Sequence, residues 1–234
     1  GWNYEGGIRV PLVVHWPGHI KPNTTSRALV TGTDYYPTLL EMMGLPALPK
    51  QHVDGVSFLP ALRGKTHDRG AIYWHFPHYS NHGYQSPGGA IRLGKYKLLE
   101  YYENGSVQLY DLEKDPDEVN NLVKSKDHAE VLKKMRQAHL SHLKTIIDVG
   151  FLPEGEIHER SKGTTPYEMA RSDEYPFQRI MLAADMASGL SPWATKPLIG
   201  YLKDKDSAVR YWGAMGLLMR AKQGVKVAGK HLVN

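Results

Sequence analysis

The chain has 234 residues, of which 41% are hydrophobic and 23% charged, and its formal net charge is +5 with neutral histidines. This is an ordinary globular composition, and the length suits one or two domains. No apolar run approaches the roughly 18 to 20 residues of a membrane-spanning helix, so we expect no membrane span. Basic residues are interspersed with acidic ones, which indicates a solvated surface and does not favour nucleic-acid binding. The chain has no cysteine, which excludes disulfides, thiolate metal ligands and a cysteine-derived nucleophile in these residues.

Residues 1–64 show the succession of strand, helix and loop that is typical of an α/β layer. Residues Ile8 to Trp16 predict a loop that leads into a short buried strand, with Pro11 near the start of the strand and a Pro-Gly pair at its end. A helix is predicted from Asp34 to Met43, with Asp34 or Thr33 as its N-terminal cap and Gly44 at the C-terminal capping position.

Residues 65–149 predict a small antiparallel sheet followed by a helix. Runs rich in aliphatic and aromatic residues at 71–74, 90–93, 96–101 and 107–110 predict strands, and Asn104-Gly105 is a strong hairpin signal. Apolar residues at helical spacing predict an amphipathic helix from Glu130 to Ile147. Arg92, Lys95 and Lys97 fall on the predicted hairpin strands, where alternation makes solvent exposure the default expectation. The alternative is that they face an anionic substrate.

Residues 150–234 are predicted to be mainly helical. The stretch 150–155 is typical of a linker, and helices are predicted over 175–188, 193–203, 207–219 and 222–232. The run from Asp206 to Ala214 resembles the second half of a HEAT-type helical repeat. We therefore expect a HEAT-like helical tail, which offers a surface for contact with another protein.

Six segments resemble signatures of the sulfatase family, within the alkaline-phosphatase-like superfamily, and they occur in the family's order. The opening run, residues 1–11, reads Gly-Trp-Asn-Tyr-Glu-Gly-Gly-Ile-Arg-Val-Pro. The others are residues 16–20, 33–40, 54–57, 89–97 and 109–122. Each segment is a weak signal alone, but together they cover residues 1–145 in register. The chain is therefore identified as similar to the C-terminal portion of a sulfatase.

The resemblance implies an α/β fold, namely the C-terminal part of an alkaline-phosphatase/sulfatase-like fold with a small antiparallel-sheet subdomain and an α-helical tail. Residues 1–64 would form the end of the α/β catalytic domain, residues 65–149 the C-terminal subdomain, and residues 150–234 the helical appendage. The family also implies a periplasmic or extracellular location.

Sulfatases hydrolyse sulfate esters with formylglycine, made from the first residue of a Cys/Ser-x-Pro-x-Arg motif, and with a calcium ion held by oxygen ligands. The sequence lacks this motif and the family's metal-ligand cluster, so we expect no catalytic residue and no metal ligand here. The resemblance places the formylglycine and the calcium ligands upstream, and a sulfate-contacting lysine directly before Gly1.

Tyr4, Glu5, Gly6, Gly7 and Arg9 lie close in sequence to that lysine position, which predicts that they support the active site. The two glycines would let the backbone pass close to the site. Glu5 and Arg9 would hold the loop by an ion pair or by backbone contacts. The alternative is a structural turn in which Glu5 and Arg9 pair with each other.

Residues 73–83 are rich in histidine, and Pro77, Gly83 and the aromatic residues among them favour a loop over a helix. By resemblance this loop borders the substrate pocket, so His75 and His78 are predicted to bind substrate, together with Arg92. A transition-metal site at the histidines and a surface loop with incidental histidines are the alternatives.

The favoured function is a fragment of a sulfuric ester hydrolase whose parent removes sulfate from a sulfated carbohydrate. The alternatives are a phosphodiesterase or phosphonate hydrolase of the same fold, or a non-catalytic relative that binds a partner. The nucleophile motif would decide between them.

Overall fold

The structure is a computed structural model that describes residues 2–78, 86–220, 224 and 229. The chain divides into two compact units, one formed by Gly1–Ile8 with Tyr73–Asn234, the other by Arg9–Ile72. The larger unit begins with a single helical turn, α1 (Glu5–Ile8). The first eight residues thus belong with the later part of the chain, and the predicted domain boundaries at 64 and 149 stay predictions.

The smaller unit is organised around the buried carboxylate of Asp34. A 3₁₀ turn (Gly32–Asp34) leads into α2 (Tyr35–Met42), and α3 (Leu59–Leu62) follows. Asp34 Oδ1 accepts a hydrogen bond from Val56 N at 2.9 Å, and Oδ2 accepts from Thr31 N at 2.9 Å and Arg69 Nε at 2.7 Å. The predicted helix is confirmed, but the Asp34 side chain ties three loop positions together instead of capping α2.

The strand predicted between Ile8 and Trp16 is wrong. Every described strand begins at Ile72 or later, and Val10 and Val13 are 78% and 89% exposed. An apolar run forms a strand only where a neighbouring strand satisfies its backbone groups. Among the described residues, none forms a strand beside residues 8–16.

The larger unit contains a four-stranded sheet in which strand order follows chain order. The strands are β1 (Ile72–Phe76), β2 (Gly88–Leu93), β3 (Tyr96–Tyr101) and β4 (Val107–Asp111). β2 and β3 pair antiparallel with Arg92 opposite Lys97, and β3 and β4 pair antiparallel with Lys97 opposite Tyr110. Gly94 and Gly105 adopt positive φ in the two turns, so the predicted sheet and its hairpins are confirmed.

The two faces of the sheet have different partners. On one side, the helix face, Leu98 and Glu100 lie against α4 (Ala129–Ile146), whose Arg136 and His139 both bond the Glu100 carboxylate. The opposite side, the segment face, carries Ala90, Leu99, Tyr101 and Tyr110, and Tyr4 packs against it. The predicted amphipathic helix is therefore confirmed and covers only the helix face.

The rest of the described chain is a helical tail with its own core. It comprises α5 (Glu154–Arg160), α6 (Pro166–Met169), α7 (Phe177–Ser188), α8 (Thr195–Tyr201) and α9 (Ser207–Met219). α7, α8 and α9 pack together around buried alanine, leucine and valine side chains. Three of the four predicted tail helices are thus confirmed, the fourth (222–232) lies largely outside the described residues, and the HEAT-like assignment stays a prediction.

The linker predicted at residues 150–155 is wrong. Phe151 and Leu152 are buried in the tail core, and the Phe151 carbonyl accepts a hydrogen bond from Trp212 Nε1 at 2.8 Å. The glycines and proline of this stretch suggested a linker. A solvated linker would leave Phe151 and Leu152 exposed to water, whereas burying these two large apolar side chains is favourable.

Candidate functional site

The signature segment, residues 2–8, lies on the segment face of the sheet. Tyr4 Oη donates a 2.6 Å hydrogen bond to Gln108 Oε1 on β4, and its ring lies 6.5 Å from that of Tyr101 on β3. Trp2 also packs against Tyr4, with 5.8 Å between ring centroids. Aromatic packing and one hydrogen bond therefore hold the start of the segment on the sheet.

A buried ion cluster holds the middle of the segment. The Lys97 side chain is 0% exposed, and its Nζ lies 3.1 Å from Glu5 Oε1 and 2.8 Å from Glu118 Oε1. The second oxygen of Glu118, Oε2, accepts a 2.6 Å hydrogen bond from the backbone N of Glu5. Because an unpaired buried charge is costly, removing one partner of such a cluster typically destabilises by about 3–5 kcal/mol.

The expectation that Lys97 faces solvent is therefore wrong. Alternation along a strand decides which face a side chain occupies, but here residues 2–8 cover one face and α4 covers the other. Glu5 uses Lys97 as its ionic partner, and Arg9 belongs to the other compact unit.

The two glycines of the segment have different surroundings. A Cβ on Gly7 would lie 2.1 Å from the backbone oxygen of Trp2, so any side chain there would force the segment apart. A Cβ on Gly6 would meet nothing within 4 Å. Close backbone approach therefore requires glycine at position 7, and the local geometry does not require it at position 6.

Two tyrosines on the segment face, Tyr101 and Tyr110, have raised pKa values. Burial, with smaller contributions from Tyr4 and the Glu118 carboxylate, raises the pKa of Tyr110 to about 12. Burial also raises the pKa of Tyr101, and its interaction with Tyr4 adds to the shift. Tyr110 Oη accordingly donates to Gln108 Oε1 at 3.0 Å, the same oxygen that Tyr4 uses.

His75, which is predicted to bind substrate, lies on the helix face. Its Nδ1 donates a 2.9 Å hydrogen bond to Asp148 Oδ2, its side chain is 5% exposed, and its ring lies 4.9 Å from that of Phe151. His78 is half-buried nearby, and burial lowers its pKa even though the Gly150 backbone and Asp148 oppose the shift. The structure therefore brings both histidines to the start of the helical tail.

Arg92 shares the segment face with Lys97, because residues paired across an antiparallel ladder point to the same side. Its Nε donates to the Gly94 carbonyl at 2.8 Å. The predicted substrate-binding residues are thus divided between the two faces of the sheet, and their roles stay predictions.

Among the residues that the structure describes, no group of three or more His, Cys, Asp or Glu side chains could hold a metal ion. No helix within the same residues is long and apolar enough to cross a membrane.

Residues 1–145 match the family described as N-sulphoglucosamine sulphohydrolase, C-terminal. This chain belongs to the sulfatase family. A sulfatase from Formosa agariphila is 38% identical over 53% of this chain and 24% of its own length. An N-acetylglucosamine-6-O-sulfatase from Bacteroides thetaiotaomicron is 32% identical over 57% of this chain and 25% of its own length.

Solved sulfatase structures also match. One of them, in complex with its substrate D-glucosamine-2-N,6-O-disulfate, is 27% identical with a TM-score of 0.41, and the match covers 47% of this chain and 23% of that one. The chain spans about a quarter of the length of the sulfatases it matches. The family match over residues 1–145, together with the observed antiparallel sheet and helical tail, confirms the predicted fold class, the C-terminal part of a sulfatase-like α/β fold.

Lys97, Glu118 and Gln108 were not among the residues predicted for this site. A usable signal was present for the two charged residues, because both lie inside segments that resemble family signatures. Lys97 also stands in a run whose next two residues are apolar. Nothing in the sequence singles out Gln108, whose partner Tyr4 lies 104 residues away.

Proposed function

We propose that this chain is the C-terminal part of a sulfatase that removes sulfate from a sulfated carbohydrate. Its role in that enzyme is to hold the signature segment in place beside the reaction centre. The observation that carries the proposal is the buried cluster of Lys97, Glu5 and Glu118, which fastens the segment to β3 and to the turn after β4. Lys97 and Glu118 lie 92 and 113 residues after Glu5 in sequence.

The chain's contribution to catalysis is positional. Groups that flank a reaction centre must be held within a fraction of an ångström, because a displacement of about 1 Å can cost roughly 100-fold in rate. Tyr4, Glu5 and Gly7 meet this requirement, since hydrogen bonds, a buried ion pair and backbone contact fix them. The formylglycine nucleophile and the calcium ligands would come from the remainder of the parent enzyme.

The substrate class is proposed from the family and from one relative. The matched N-acetylglucosamine-6-O-sulfatase supports a sulfated amino sugar as the target. Arg92 is the predicted substrate-binding residue whose place best suits contact with an anionic sugar, because it shares the segment face with Lys97. We also propose that the parent works in the periplasm or outside the cell, where sulfated polysaccharides occur.

The test is to express the complete gene that encodes this chain and assay the purified enzyme on a panel of esters. The panel contains glucosamine 6-O-sulfate, glucosamine N-sulfate, 4-nitrophenyl sulfate and a 4-nitrophenyl phosphonate monoester. We expect calcium-dependent sulfate release, fastest on a sulfated amino sugar, and no turnover by this chain alone. Faster turnover of the phosphonate monoester than of every sulfate ester would overturn the proposal.

A further inference from the structure

Glu118 occupies a backbone conformation that its own side chain does not favour. Its φ is 57°, in the left-handed region that only a few per cent of non-glycine residues adopt. Asp115 stabilises the turn that contains Glu118. Its carboxylate accepts hydrogen bonds from Val119 N at 3.1 Å and Asn120 N at 2.7 Å. Such conformations persist only where the surrounding structure enforces them, and they cluster at functional sites.

This turn presents the Glu118 carboxylate to two different donors. One oxygen pairs with the Lys97 ammonium and the other accepts the Glu5 backbone N–H. Lys97 in turn reaches the Glu5 side chain. Glu118 thus holds the backbone of Glu5, and Lys97 holds its side chain.

We infer that Lys97 and Glu118 are positioning residues for the sulfatase reaction, which set the place of Glu5 and of the tight turn around it. This inference rests on the proposed function. Glu5 is the first residue of α1, and the backbone N–H groups of Gly7 and Ile8 bond the Tyr4 carbonyl at 2.8 and 3.1 Å. A shift of Glu5 is therefore transmitted to the whole glycine turn.

Replacing Glu118 by glutamine tests the inference with little change in shape. One carboxylate oxygen forms the ion pair with Lys97 and the other accepts the hydrogen bond from Glu5 N, whereas an amide has one acceptor oxygen and one donor NH₂ group. Glu118→Gln can therefore keep the contact with Lys97 or the contact with the Glu5 backbone, but not both. Glu113→Gln, at an exposed position five residues earlier, is the matched control.

The experiment uses the complete sulfatase that contains this chain. For Glu118→Gln we expect kcat to fall roughly 10- to 100-fold with KM nearly unchanged, while Glu113→Gln keeps wild-type kinetics. Hydrogen exchange should become faster in peptides covering residues 2–8 and stay unchanged in peptides from α4. If Glu118→Gln fails to fold, Glu5→Gln takes its place; its amide oxygen can still accept from Lys97, so we expect a smaller loss that again falls on kcat.

Two results would overturn the inference. One is wild-type kinetics in the glutamine variant; the other is equally faster exchange in both sets of peptides, which would show a general loss of stability. A third result separates the two proposals. If the wild-type enzyme hydrolyses no sulfate ester and Glu118→Gln still loosens residues 2–8 selectively, the proposed function fails and the positioning of the segment stands.

Discussion

The close contact of α9 with α7 and α8 depends on the absence of a side chain at Gly216. A Cβ there would lie 2.8 Å from Leu198 Cδ2 and 2.9 Å from both Cα and Cβ of Ala187. The Leu198 methyl group can rotate away, but the Ala187 atoms belong to the backbone of α7 or are attached directly to it. Gly216→Ala therefore pushes α7 and α9 apart.

Two opposing effects decide the size of the change. Alanine is favoured over glycine inside a helix by about 1 kcal/mol. Overpacking a well-filled interior costs about 1–3 kcal/mol. We therefore expect Gly216→Ala to lower the free energy of unfolding of the tail by up to about 2 kcal/mol. Gly200→Ala is the matched control, since a Cβ at this exposed position of α8 meets nothing within 4 Å and should stabilise by about 0.4–1 kcal/mol.

Urea unfolding followed by far-ultraviolet circular dichroism measures both variants, because most of the helical residues are in α4 and the tail. The midpoint should fall for Gly216→Ala and rise for Gly200→Ala. A midpoint for Gly216→Ala that equals or exceeds that of Gly200→Ala would refute the argument from close packing.

Three further predictions concern charged groups in the larger unit. Asp206→Ala should cost about 1–3 kcal/mol in thermal unfolding, because Asp206 caps α9 and also pairs with Arg160 at 2.9 Å; an unchanged melting temperature would contradict this. Burial opposes ionisation of Asp148, but its hydrogen bond with His75 holds the pKa of that carboxyl below its usual range. The stabilisation contributed by the ionised Asp148 carboxylate is therefore present at neutral pH and lost as the pH falls below about 4. Asp148→Asn should make the free energy of unfolding less sensitive to acid, and an unaltered pH profile of stability would contradict this prediction. Arg220 caps the C-terminal end of α7, because it donates to the carbonyls of Met186 and Ala187 at 3.0 and 3.1 Å. Arg220→Met should therefore speed hydrogen exchange at the end of α7, and unchanged exchange there would contradict this capping role.

The sheet and most of the helices could be predicted because their signals are local. Asn104-Gly105 specifies a hairpin by its own backbone preferences, and the spacing of apolar residues in α4 reports a buried stripe directly. The run from Ile8 to Trp16 gave the wrong prediction because a strand also needs a neighbour, which its own residues do not reveal.

The candidate site was predicted only in part for the same physical reason. Tyr4, Glu5 and Gly7 stand within one short signature, so the sequence alone places them together. Their partners on β3, on β4 and at Glu118 come from distant parts of the chain. Hydrophobic pattern and turn chemistry specify elements, but they do not specify which charged side chains meet when the elements pack.

The distance along the chain between Glu5 and its partners also orders events during synthesis. Lys97 and Glu118 are added 92 and 113 residues after Glu5. At a translation rate of about 5–20 residues per second, Glu5 is synthesised roughly 5 to 20 s before Lys97 and Glu118. The glycine turn therefore reaches its final place only after the sheet has been made. On the proposed function, the surroundings of the parent's reaction centre would therefore be completed only after residue 118 has been added.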